Sequence, residues 1–67
     1  MLIELCKRTR LAVNPDDVSS VFLVSSNGYR ELEVKMRTGD AYRVRHQPEC
    51  LDGDDIYQVH KQLMEAQ

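Results

Sequence analysis

Between Glu31 and Arg37 the chain alternates cleanly, with Leu32, Val34 and Met36 on one side and Glu31, Glu33, Lys35 and Arg37 on the other. A period of two is the mark of a strand with one face buried and one wet. Tyr42, Val44 and His46 keep the same phase over residues 41–46. Residues 18–25 are rich in β-branched and aromatic side chains and also read as a strand. Asn27-Gly28 stands between two of these runs, and a two-residue type I′ turn needs positive φ at both positions, which these residues tolerate best. Closing a hairpin there sets Ser26 opposite Tyr29, Leu23 opposite Leu32 and Val21 opposite Val34, so the apolar residues of both strands share one interior. For the next hairpin a three-residue loop, Thr38-Gly39-Asp40, pairs Met36 with Tyr42 and Val34 with Val44, and sets Glu33 opposite Arg45.

Upstream, Leu2 to Cys6 reads as a strand, and the alternation at Leu11 and Val13 after Lys7-Arg8-Thr9-Arg10 completes a hairpin. Asn14-Pro15-Asp16-Asp17 then stops the strand: Pro15 lacks an N–H, and the Asn and Asp side chains bond their own neighbouring backbone. Past the linker Gln47 to Gly53, Ile56, Val59, Leu63 and Met64 follow the spacing of one helix face. Asp52 is the expected N-cap, with Asp54 and Asp55 in the first turn and Leu51 stapled to Ile56. The predicted architecture is α+β: a small curled antiparallel sheet of four to five strands, over residues 2–6, 10–13, 18–25, 30–37 and 41–46. One C-terminal amphipathic helix over 53–65 closes it, and the whole chain, 1–67, is one domain.

Size and composition narrow the function. At 67 residues only one thin core is possible, with little room for a deep substrate pocket. The hydrophobic fraction of 42% and charged fraction of 30% are those of a folded soluble domain. The longest apolar run, Val21 to Val24, is far too short to span a bilayer, and Met1-Leu2-Ile3-Glu4 does not open a signal peptide. A cytoplasmic address, with Cys6 and Cys50 reduced, is expected, and no membrane association. The net charge of −2 is unevenly spread: up to His46 there are eight Lys/Arg against six Asp/Glu, and from Gln47 onward five acids against one Lys.

No constellation carries catalysis. Asp52-Gly53-Asp54-Asp55 has the alternate carboxylates that open a calcium loop but no glutamate at the twelfth position, and helix capping accounts for these acids. His46, Cys50, His60 and Cys6 have zinc-ligand chemistry without zinc-ligand spacing. There is no nucleophile elbow or glycine-rich phosphate cradle. The chain is therefore expected to be no enzyme and to take no cofactor, metal or small-molecule substrate.

Two surfaces remain. Phe22 and Val24 point away from the interior shared by Val21 and Leu23; left uncovered they mark a protein-binding or self-association surface, and a homodimer stays open. With Tyr29 they make a set of apolar anchors, with Glu31 and Glu33 among the charged residues at its rim. The second surface is basic: Lys7, Arg8, Arg10, Arg43 and Arg45 stand on or between strands, and with Tyr29 as a stacking platform they form the candidate RNA contact.

The stretch from Leu11 to Val21, the segment Thr38-Gly39-Asp40-Ala41-Tyr42-Arg43-Val44 and the terminal amphipathic helix resemble the FlbD-like family of small flagellar and swarming-motility proteins. That resemblance implies a small regulatory or interaction protein with no catalytic residue. Met1-Leu2-Ile3, Asp16-Asp17-Val18, Tyr42-Arg43-Val44-Arg45-His46 and Ile56-Tyr57-Gln58 are similar to the CsrA-like RNA-binding translational regulators. This second resemblance implies a dimer whose RNA surface falls here on Leu2 to Lys7 and Val44 to His46. The expected function is a regulatory or adaptor role through protein–protein contact at an outer sheet face or strand edge; the alternative is RNA-binding post-transcriptional regulation.

Overall fold

The computed structural model describes residues 1–66, with Ser26 by its backbone alone. Asn27 and Gly28 have φ of 50° and 80°, the two positive values a type I′ turn demands. They join β3 (Val18–Ser26) to β4 (Tyr29–Met36), with Ser26 opposite Tyr29, Leu23 opposite Leu32 and Val21 opposite Val34, as the alternation predicts. Leu32 and Val34 are sealed from solvent, and Val21 is half-buried.

The strand β5 (Ala41–Arg45) pairs with β4 two residues away from the predicted register, Val34 meeting Tyr42 and Leu32 meeting Val44. The connection holds four residues, 37–40, and is closed by Met36 N–H donating to the Asp40 carbonyl at 2.8 Å, with Gly39 at φ 99°. Glu33 consequently faces Arg43, not Arg45. A shift of two leaves every side chain on its face, so alternation alone does not choose between these registers.

The strands form two sheets where a single curled one was expected: β1 (Ile3–Cys6) pairs only with β2 (Leu11–Val13), and β3, β4 and β5 lie in that order in the other. Between them Pro15–Asp17 makes a single 3-10 turn, capped by the Asn14 side chain accepting from Asp16 N–H at 3.0 Å. This turn separates β2 from β3, and the class remains α+β. The core joins Ile3, Leu5 and Val13 of the small sheet to Val18, Leu32, Val34 and Val44 of the larger one, with Ile56, Val59 and Leu63 of the helix α1 (Ile56–Glu65). At about 2 kcal/mol for each fully buried aliphatic side chain, this cluster is the main force holding the two sheets and the helix together.

The helix begins later than predicted. Its N-cap is Asp55, whose carboxylate accepts from Tyr57 N–H at 3.1 Å and Gln58 N–H at 3.4 Å. Asp52 lies outside the helix, and Leu51, expected to staple onto Ile56, is fully exposed. The cause is the lead-in. Gln47 N–H donates to the Asp54 carbonyl at 2.9 Å, and His46 and Asp54 form a parallel bridge, which holds the chain extended there. Gly53 packs so closely that a Cβ would stand 1.9 Å from the Gln47 carbonyl oxygen. The buried Asp54 carboxylate accepts Lys7 N–H at 3.0 and 3.2 Å, binding the end of β1 to the start of the helix. Met64, placed on the buried face by its spacing, is 54% exposed.

Candidate functional site

The larger sheet has two unlike edges. On one side, β5 carries Arg43 and Arg45, and past it the ladder continues only as the His46–Asp54 bridge. On the other, no second strand among the described residues pairs with β3, nine residues without a charge, a proline or a glycine. His46 N–H donates to the Arg30 carbonyl at 2.9 Å, so Arg30 turns its backbone groups toward β5 and Glu31 and Glu33 turn theirs toward β3. Phe22 and Val24, opposite Glu33 and Glu31, take up those bonds. Val21, Leu23 and Ser25 therefore aim their N–H and C=O groups out of the sheet, along an open edge.

Side chains flank that edge on both faces. On the outer face, one cross-strand row runs Phe22, Glu33, Arg43 and the next runs Val24, Glu31, Arg45. Phe22 is 41% exposed and Val24 half-buried, while the Arg45 guanidinium lies 4.2 Å from the centre of the Tyr29 ring. The structure thus brings Phe22, Val24, Tyr29 and Glu31 onto one face. Glu33 is on the same face but buried, its Oε1 accepting from Arg43 Nε at 2.8 Å. It forms the floor between Phe22 and Arg43.

On the inner face the helix covers β4 and stops short of the β3 edge, leaving Leu23, predicted inside, 48% exposed. A groove of about 290 Å³ lies beside it, running from Leu23 and Ser25 to Ile56 and Tyr57, with Arg30 bonded to the Tyr57 hydroxyl at one end. Sequence reasoning misses Leu23 and this groove, because the alternation shows which face a residue takes and not how far a helix reaches across the sheet.

The basic residues are divided between the sheets. Arg8, Arg43 and Arg45 line one cleft of about 100 Å³ together with Asp52 and Asp54. Arg8 Nε lies 3.3 Å from Asp52 Oδ2, and this neighbour holds the Asp52 carboxyl below its ordinary range. Arg43 is bonded to Glu33, and Arg45 sits on Tyr29. Lys7 and Arg10 stand exposed in the β1–β2 turn, where Arg10 takes φ of 61°.

Cys6 is half-buried and Cys50 exposed, both as free thiols. His46 Nδ1 accepts Ile56 N–H at 3.3 Å, and its ring meets Tyr57 edge-on at 5.0 Å, so it braces the start of the helix. Among the described residues no three His, Cys, Asp or Glu side chains converge as metal ligands, no buried side-chain polar atom lacks a partner, and no helix is long and apolar enough to cross a membrane. Comparison with protein-family models, with curated proteins and with solved structures returns no match for this chain.

Proposed function

We propose that this chain is a small non-enzymatic regulatory or adaptor protein of the cytoplasm that works by binding protein, at the β3 edge and the outer sheet face beside it. The observation that carries this reading is the open, uncharged edge from Val18 to Ser26, with Phe22 exposed on one side and Leu23 on the other. An edge of this kind binds by strand addition: main-chain bonds supply affinity, and side chains to either side supply selectivity. The likeness to the FlbD-like proteins fits a regulatory role. Chain immobilised from dilute solution should retain a host protein that the Phe22→Thr variant releases, with the helical circular dichroism unchanged; threonine keeps a β-branched side chain there and sets no second carboxylate against the buried Glu33. Equal retention by the variant would contradict the reading.

RNA binding is the second reading, and the cleft shared by Arg8, Arg43 and Arg45 is what favours it. It predicts an affinity for mixed cellular RNA that falls steeply with salt and is lost on changing Arg8 and Arg45 together to Ala. Arg43 is unsuited to that test, because its removal would leave the buried Glu33 without its partner.

A further inference from the structure

Open strand edges are usually blunted by lysines, prolines or bulges, because an unpaired ladder templates the addition of further strands. β3 has none of these along Ser20 to Ser26, and its one irregularity falls between Val18 and Ser20. A single extended edge can be satisfied by a two-fold pairing, in which the same surface on each copy meets itself and assembly closes.

Hydrogen-bond geometry restricts where the two-fold axis can lie. In an antiparallel pair, residues whose backbone groups point outward must oppose residues of the same kind. On β3 these are Val21, Leu23 and Ser25. An axis at Leu23 opposes Leu23 to itself and Val21 to Ser25 in both directions, giving about six ladder bonds and leaving the bulged start of the strand out. An axis at Phe22 would pull the bulged Ser19 into the ladder opposite Ser25.

Side chains fit the same register. On the outer face Phe22 comes opposite Val24 of the second copy, twice over, an aromatic and β-branched pairing of the favourable kind. On the inner face the second copy's Val21 comes opposite Ser25, beside the groove walled by Leu23, Ile56 and Tyr57. No charge meets a like charge across the strand. The far edges of the resulting sheet are the two β5 strands, whose Arg43 and Arg45 repel further addition.

We infer that a second copy of this chain occupies the β3 edge, paired antiparallel about an axis at Leu23 and joining the two outer faces into one surface. The inference rests on the reading of this edge as a binding surface.

Sedimentation equilibrium over a dilution series tests it with three variants. Leu23→Pro removes an N–H that points away from β4, so it blocks pairing without breaking the hairpin. Leu23→Lys and Leu23→Glu each place like charges together at the axis. The expected result is a mass rising from 7.8 kDa toward twice that value for the wild type. Each variant alone should stay at 7.8 kDa, and the Leu23→Lys and Leu23→Glu chains should pair when mixed. A wild type still monomeric at about 1 mM overturns self-pairing. If Leu23→Lys nonetheless loses a retained host protein, the binding role of the edge survives that failure. A dimer that persists in all three variants forms through another surface and overturns pairing at this edge.

Discussion

Glu33 is buried on the outward face of the sheet, and Arg43, directly across from it on β5, closes a 2.8 Å bond to its carboxylate. The arginine is itself 58% exposed, so solvent screens the attraction, and the pair is worth about 1 kcal/mol or less as an attraction. Removing only the arginine leaves a buried carboxylate without its partner, which costs about 1–3 kcal/mol. Arg43→Ala should therefore lower the urea midpoint more than Glu33→Gln does. Equal losses would contradict this role for the pair.

Asp55, not Asp52, caps the helix. Asp55→Ala should cost about 1 kcal/mol in thermal or urea unfolding. Asp52→Ala should cost far less, since it removes only a solvent-exposed pair with Arg8. The reverse order would return the helix start to the position its sequence predicts.

Three aspartates within four residues all satisfy the sequence rules for a cap, and what decides among them is remote: Asp54 is taken by Lys7 N–H, 47 residues earlier in the chain. The hairpin at Asn27-Gly28 was fully legible because its signal is local, two residues with positive φ and a register that follows from them. The β4–β5 register was not, since Val34 meets Tyr42 or Val44 with the same faces inward. Phe22 and Val24 could be placed on the outer face from alternation alone. The burial of Glu33 and the exposure of Leu23 could not, for both depend on what crosses the sheet from other elements.

Gly53 is the most sterically confined glycine of the chain, with Gln47 O, Gln47 Cβ and Cys50 Cβ all within 2.9 Å of an added Cβ. Gly53→Ala should separate the lead-in from β5 and cost about 3 kcal/mol or more. Gly28→Ala meets nothing within 4 Å and should cost less, through its φ of 80° alone. Thermal unfolding of the two variants side by side checks the order, and an equal shift would contradict the close packing at Gln47.

The Arg8 guanidinium holds the Asp52 carboxyl below its ordinary value of 3.8. A carboxyl lowered by folding adds stability that is present above its unfolded value and lost as pH falls through the lower, folded one. A carbon-detected titration should find the Asp52 midpoint below 3.8 in the wild type and back at that value in Arg8→Ala. A midpoint indifferent to Arg8 would show that the two side chains do not meet in solution.

Residue-resolved amide exchange along β3, followed from dilute to concentrated protein, tests most directly whether this edge is the working surface. Phe22 and Val24 should be protected at every concentration by their bonds to β4, while Val21, Leu23 and Ser25 exchange fast when dilute and slow when concentrated or when a bound strand is present. Odd-numbered amides that stay fast under both conditions, or even-numbered ones that exchange equally fast, would contradict the account.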